Sequence, residues 1–195
     1  MSEQLAFPGF GADVAPTDRL LFAIFPSAEA AAQTDGVAQS LRQALGLAGR
    51  PLAVDRLHVT LHHLGDYVGL PNGVVEAARQ AAAAVTAAPF EVAFDRAASF
   101  ASRPGGNPFV LQGEPGGLAE LSAFRRDLGE ALARVGLGRW AKPQFTPHMT
   151  LLYDDKVVEA RPVEPVRWTV GEFVLVHSLL GKTQHIPLAR RPLNG

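Results

Sequence analysis

Apolar and polar residues alternate in ways that predict strands and helices in mixed order. Residues 20–25 (LLFAIF) form a short apolar run that ends at Pro26, as a buried strand does. Ser27 can cap the helix that follows, which the two glycines Gly46 and Gly49 end. Residues 56–64 (RLHVTLHHL) then alternate with the period of two that a half-buried strand requires. The chain therefore begins as strand, helix, strand.

The remaining pattern predicts two more helices and several more strands. Residues 74–87 are rich in Ala and helical, and residues 118–135 form an amphipathic helix. The polar face of that second helix contains Arg125, Arg126, Glu130 and Arg134. Further strands are predicted at residues 90–100, 109–112, 145–153, 166–180 and 185–189.

The order of these elements repeats. A strand, a helix and a strand with a His-x-Thr sequence make up the first half, and a strand pair, a helix and a second His-x-Thr strand follow. This predicts an α+β fold of bilobal, duplicated form, with two antiparallel sheets and flanking helices that face each other across a central cleft. Residues 1–18, rich in Gly, Pro and small residues, are predicted to be a flexible N-terminal arm, and residues 19–195 a single domain.

Composition narrows the classes of function. With 47% hydrophobic and 19% charged residues, the 195-residue chain can build a core. A net charge of −1 argues against a protein that grips a long duplex, so any nucleic-acid contact is expected at an end or a single nucleotide. Without Cys there is no disulfide, thiolate metal site or Cys nucleophile. No membrane span or signal peptide is predicted, so we expect a cytoplasmic protein, and a monomer.

Two short segments carry the candidate chemistry. His58-Val59-Thr60-Leu61 and His148-Met149-Thr150-Leu151 share the pattern His, apolar, Thr, apolar, and lie about half the chain apart. On a strand, His and Thr of each segment share one face while the apolar residues anchor the other face in the core. Displacement at phosphorus in an RNA ester needs a base for the nucleophile and an acid for the leaving oxygen, and two imidazoles can serve both roles at neutral pH. Threonine hydroxyls can donate hydrogen bonds to the phosphate oxygens.

At these residues the chain resembles the two-histidine (2H) phosphoesterase superfamily, and within it the bacterial RNA 2′,3′-cyclic phosphodiesterases, also called 2′-5′ RNA ligases. The resemblance extends from Arg19 to Pro192 through the segments RLLFAIFP, LHVTLHHLGD, PFEVAFDRAASF, FTPHMTLLYDD and HSLLGKTQH. It departs at Tyr153, where many relatives have Arg, and at His62-His63 after the first motif.

The resemblance implies hydrolysis of a 2′,3′-cyclic phosphate on RNA or a nucleotide to a 2′-phosphate, with no cofactor and no metal ion. By position, His58 would be the proton donor to the 3′ leaving oxygen and His148 the proton acceptor that activates water. Thr60 and Thr150 would bind the phosphate. Because the motifs are nearly symmetric, the acid and base assignments stay open. The alternatives are 2′-5′ RNA ligation by the same site, or a non-catalytic module that binds nucleotides or RNA ends.

Other residues are weaker candidates for nucleotide contacts. His62 alternates with His58 and is predicted to share its face, whereas His63 is predicted to point the other way. A metal site built from His58 and His62 lacks a carboxylate ligand at suitable spacing. The other candidates are Phe109, and less so Phe100, for stacking on a base, and Arg103, Lys142 and Gln144 for polar contacts. For each, an ordinary core or surface role is the alternative.

Overall fold

One antiparallel sheet of eight strands dominates the part of the chain that the structure, a computed structural model, describes: residues 14–100 and 106–195. The strands are β1 (Asp18–Ile24), β2 (Val59–Tyr67), β3 (Phe90–Ser99), β4 (Asn107–Gln112), β5 (His148–Asp154), β6 (Arg161–Val170), β7 (Glu172–Leu179) and β8 (Gln184–Pro192). The α-helices are α1 (Ala28–Leu45), α2 (Asn72–Ala83) and α3 (Ala119–Arg134). None of the described helices is long and apolar enough to cross a membrane.

The α+β class is confirmed, but the predicted division into two sheets is not. The strand order is β6-β3-β4-β5-β2-β1-β7-β8, so two groups of four strands join into one sheet between β5 and β2. A single backbone pair, Val59 with Met149, makes that junction. Each motif strand would otherwise leave an unpaired edge, and pairing the two edges satisfies part of that backbone. The junction places both His-x-Thr segments at the centre of the sheet.

Local signals fixed several boundaries as predicted, and tertiary contacts moved others. The Ser27 hydroxyl accepts a hydrogen bond from the Ala30 N–H at 3.1 Å, and Gly46 ends α1 with φ +60°. The strand predicted at residues 166–180 is two strands, β6 and β7, that turn at Gly171. Asp18, assigned to the N-terminal arm, is instead the first residue of β1, because its buried carboxylate pairs with His177 Nε2 at 2.5 Å. Residues 1–13 of that arm lie outside the described residues.

Arg125 departs from the polar face predicted for α3. Only 8% of the residue is exposed, and its Nε donates a hydrogen bond to the Leu61 carbonyl of β2 at 3.0 Å. A terminal guanidinium N–H donates to the Lys142 carbonyl, and the guanidinium lies 4.5 Å from the ring centre of Phe145. Arg125 therefore connects the last residue of the first motif, Leu61 of β2, to the segment that leads into the second motif. The strand β5 begins at His148 rather than at the predicted residue 145.

Candidate functional site

The two motifs line one groove of about 510 Å³. Val59 and Met149 are fully buried at the sheet junction, and the flanking residues His58, Thr60, His148 and Thr150 are half-buried on the groove side. In an antiparallel pair centred on Val59 and Met149, His58 comes beside Thr150 and Thr60 beside His148. The groove therefore presents two imidazoles and two hydroxyls side by side on neighbouring strands.

Both motif imidazoles are oriented in the same way. His58 Nδ1 lies 2.7 Å from the Arg56 carbonyl oxygen, and His148 Nδ1 lies 2.8 Å from the Thr146 carbonyl oxygen. A carbonyl only accepts hydrogen bonds, so each Nδ1 carries the proton and donates. Each Nε2 is then a lone-pair base when the ring is neutral and an N–H acid when the ring is protonated. The same arrangement thus allows either histidine to give or take a proton.

The segment before the first motif is held against the strand of the second. The Leu52 N–H donates to the Leu151 carbonyl at 2.7 Å, and the Gly49 N–H donates to the Asp154 carboxylate at 2.7 Å. A Cβ at Gly49 would lie 2.0 Å from the Tyr153 carbonyl oxygen, so only glycine allows this approach. The loop that positions His58 is therefore fixed by β5 itself.

A β-bulge follows each motif threonine at the equivalent position. Phe22 pairs with His62 and Ala23 with Thr60, so Leu61 is the extra residue in β2. Phe109 pairs with Leu152 and Val110 with Thr150, so Leu151 is the extra residue in β5. Each bulge reverses the alternation of side chains between the two faces of the sheet. The matching bulges are a structural repeat that the sequence does not display.

The first bulge makes the predicted orientations of His62 and His63 wrong. His62 is 2% exposed and turns toward α3, where its Nε2 lies 2.9 Å from the Arg125 carbonyl oxygen. Gly129 lets α3 approach this ring, since a Cβ there would be 3.2 Å from His62 Cε1. His63 instead lines the groove with His58 and is exposed.

Of the other residues predicted to contact a nucleotide, one lies in the core and several lie near the groove. Phe109 is fully buried in the core, so its predicted stacking on a base is wrong. Phe100 lies near the site, with its ring edge-on to His148 at 5.0 Å between centres. Gln144 is exposed and, with Lys142, lines a side pocket of about 270 Å³ that also touches Thr60 and His148, and whose wall His62 reaches. Arg103 lies outside the described residues.

Two arginines line the groove, and within the described ranges only one of them has an acidic partner. Arg19 donates twice to the Asp66 carboxylate, each at 2.7 Å, and His63 Nε2 lies 2.9 Å from the same group. The hydrogen bonds from Arg19 are the main cause that lowers the pKa of Asp66 to about 2. Arg56, in contrast, makes no side-chain hydrogen bond or ion pair within the described ranges.

His185 is a groove residue that the sequence analysis left out. It lies on β8, opposite Ser178 of β7, and its ring centre is 5.0 Å from that of His58. Burial, together with the charges of His58 and Arg56, lowers the pKa of His185 to about 4. No local pattern marks this histidine, because it reaches the site only through the order of strands in the sheet.

Within residues 14–100 and 106–195, no three His, Asp or Glu side chains are grouped as metal ligands.

Burial also lowers the pKa of His58 from its ordinary value of 6.5, as do the charge of Arg56 and that of His148 when protonated. A base with a lowered pKa loses its proton at lower pH, so free His58 is mostly neutral at pH 7. The lower limb of a bell-shaped pH profile reports the group with the lower pKa, whichever role that group has. We therefore expect kcat/KM for a cyclic nucleotide to rise with pH along a limb that lies below pH 6.5.

Titration of the His58 ring by NMR, assigned with His58→Ala, checks this pH dependence. The resonance should titrate below pH 6.5 in the free protein and move to higher pH when phosphate binds, because an anion stabilises the imidazolium. A His58 that titrates above pH 6.5 without ligand, or a flat activity profile from pH 5 to 9, would contradict the expectation.

Comparison with known proteins shows which family the chain belongs to and which solved structures share its fold. The sequence model of the 2′-5′ RNA ligase superfamily matches residues 26–182. The crystal structure of E. coli LigT complexed with ATP is 28% identical, with a TM-score of 0.69 over 93% of this chain and 100% of that chain. A crystal structure of a phosphoesterase is 27% identical with a TM-score of 0.69 at the same coverage, and that of a Thermus thermophilus protein, TT0787, is 26% identical with a TM-score of 0.63 over 91% and 98%. No curated protein sequence matches the chain. The family match covers most of the chain, which therefore belongs to the 2′-5′ RNA ligase superfamily of two-histidine phosphoesterases.

Proposed function

We propose that the protein hydrolyses 2′,3′-cyclic phosphate ends of RNA or nucleotides to 2′-phosphates without a metal ion. The observation that carries this proposal is the pair of imidazoles, each fixed through Nδ1 with Nε2 left for chemistry, in one groove with two threonine hydroxyls. An acid and a base on facing sides of a phosphate are what displacement at phosphorus requires.

In the proposed reaction, each of the two histidines transfers one proton. His148 Nε2 accepts a proton from water as the water oxygen forms a bond to phosphorus. The bond from phosphorus to O3′ breaks, and His58 Nε2 donates its proton to O3′, which leaves a 2′-phosphate and a free 3′-hydroxyl. The anionic phosphate itself favours the protonated form of His58 that this step needs. Proton exchange with solvent restores both rings.

The molecules bound in structures of a relative support a substrate that carries phosphate. E. coli LigT, 28% identical, has been crystallised with ATP, NADP⁺, 3′-AMP and phosphate. All four carry phosphate, and three are nucleotides. The superfamily name also includes ligation, which in this site would be the same displacement with the 5′-hydroxyl of a second RNA end as nucleophile in place of water. The bond from phosphorus to O5′ forms, the bond to O3′ breaks, and the two histidines keep their proton roles. Ligation stays the second candidate because the same base and acid, His148 and His58 held through Nδ1, serve a 5′-hydroxyl as they serve water.

The threonine hydroxyls should matter to the rate rather than to the fold. Thr60→Val and Thr150→Val keep the shape of the half-buried side chain and remove the donor, so each is expected to lower kcat/KM by about 10²-fold. Steady-state kinetics with a 2′,3′-cyclic nucleotide measure this. Thr→Ser at either position keeps the hydroxyl and should retain most of the activity; equal losses in the Val and Ser variants would show that the hydroxyl is not what counts.

The proposed function is tested by incubating the full chain with adenosine 2′,3′-cyclic phosphate in EDTA. We expect turnover that chelation does not change. Activity that disappears with EDTA would overturn the metal-free mechanism. Tight nucleotide binding with no turnover would favour the binding module instead.

A further inference from the structure

One cation in the groove has no anionic partner among the described residues. Arg19 and His63 both contact the Asp66 carboxylate, so the charge of Arg19 is largely compensated. Arg56 also lines the groove, and no described carboxylate lies within ion-pair distance of it. An unpaired guanidinium in a concave groove is a ready binding group for an oxyanion.

Two buried nitrogen atoms at the same place also lack partners. Arg56 Nε and His185 Nδ1 are both buried without a hydrogen bond within the described ranges. Leaving such groups unsatisfied destabilises the protein, and more so where the group is charged. Both residues line the groove, and their other nitrogens, the terminal guanidinium nitrogens of Arg56 and Nε2 of His185, are not buried and have no hydrogen bond within the described ranges, so an acceptor bound there can meet them.

Arg56 and His185 lie on the His58 side of the groove rather than midway between the two motif histidines. The His185 ring contacts the His58 ring at 5.0 Å, and the His148 ring contacts Phe100 instead. The charge of Arg56 lowers the pKa of His58 more than that of His148 does, and it also lowers the pKa of His185. The phosphate that reacts between His58 and His148 is therefore not the group that Arg56 and His185 are best placed to meet.

We infer that Arg56 and His185 form a second phosphate subsite, which binds the phosphate on the 5′ oxygen of the nucleoside that carries the cyclic phosphate. In a ribonucleotide chain, this group is the next negative charge after the reacting one. The inference rests on the proposed function for the identity of the reacting group. It assigns the substrate class: ends of oligonucleotides and 5′-phosphorylated cyclic nucleotides in preference to nucleoside cyclic phosphates that lack a 5′-phosphate.

The kinetic test compares adenosine 2′,3′-cyclic phosphate with and without a 5′-phosphate. A dinucleotide that ends in a 2′,3′-cyclic phosphate is the third substrate, because it carries a phosphodiester at the same 5′ oxygen. Wild-type protein is expected to prefer the 5′-phosphorylated substrates by about tenfold in kcat/KM, the value of one charge-assisted contact. Arg56→Met should reduce that preference to near one, whereas the charge-matched control Arg50→Met, an exposed arginine of the preceding loop, should keep it.

Binding measurements separate the subsite from the reaction. Calorimetry compares the binding of adenosine 2′-phosphate with that of adenosine 2′,5′-bisphosphate. Wild-type protein should bind the bisphosphate more tightly, whereas the Arg56→Met variant should bind the two ligands with equal affinity. If no cyclic substrate reacts but this difference in binding persists, the proposed function fails and the subsite stands. Equal kcat/KM for both substrates in wild-type protein would overturn the subsite, as would an Arg56→Met variant that loses both activities equally and keeps the preference.

Discussion

Replacement of His58 or His148 by Ala is expected to lower kcat/KM for a 2′,3′-cyclic nucleotide by about 10²- to 10⁴-fold, the usual contribution of a positioned acid or base. Each imidazole makes one hydrogen bond to a local carbonyl and is half-buried, so little of the fold depends on it. The thermal midpoint of both variants should stay close to that of the wild type. The loss should therefore appear in the rate of reaction and not in the amount of folded protein.

His63→Ala is the matched control for the histidine variants. It removes a third imidazole from the same groove, one that is exposed and paired with Asp66, so a loss of less than tenfold is expected. If either motif variant kept a rate near that of the wild type, the paired acid and base would be the wrong mechanism. If all three variants lost activity equally, the groove would depend on its general charge and not on the two motif rings.

Arg125→Met is expected to lower the free energy of unfolding by about 2–4 kcal/mol. The substitution leaves the Leu61 and Lys142 carbonyls without their donor and removes the contact with Phe145. Arg125→Lys should recover only part of the loss, because a lysine cannot reproduce the fork that reaches both carbonyls. Urea denaturation followed by circular dichroism measures the difference.

Arg126→Met provides the comparison within the same helix. Arg126 is exposed and, among the described residues, pairs only with its neighbour Asp127, so its replacement should change stability by less than about 0.5 kcal/mol. Equal effects of the Arg125 and Arg126 substitutions would contradict the connecting role of Arg125. Since Arg125 joins the bulge after Thr60 to the segment before His148, the Met variant should also lower kcat under conditions where it is fully folded.

The period of the hydrophobic pattern predicts the elements because burial on one face is a local property of a helix or strand. The position of α1 follows from Ser27 and Gly46, two residues that act on their own backbone. The number of sheets does not follow in this way. One backbone pair between Val59 and Met149 decides it, and a contact between residues so far apart in the chain leaves no local pattern.

In the candidate site, too, the features that depend on local alternation are predictable from the sequence, and those that depend on distant contacts are not. Placing His58 with Thr60, and His148 with Thr150, on one face needs only the alternation of a strand, and the sequence displays it. The bulge at Leu61 reverses that alternation, and so it exchanges the roles expected of His62 and His63. The helical pattern places Arg125 on the polar face of α3. It cannot reveal that Arg125 is buried, because the carbonyls that accept its hydrogen bonds belong to segments far away in the chain.

The central claim, that two imidazoles act on one cyclic phosphate with His58 at the 3′ oxygen, is tested most directly by the position of phosphate in the product. We expect ³¹P NMR of the reaction with adenosine 2′,3′-cyclic phosphate to show adenosine 2′-phosphate as the product. Adenosine 3′-phosphate, or a mixture of the two, would contradict the account, because the bond broken would then not be the one that His58 is proposed to protonate.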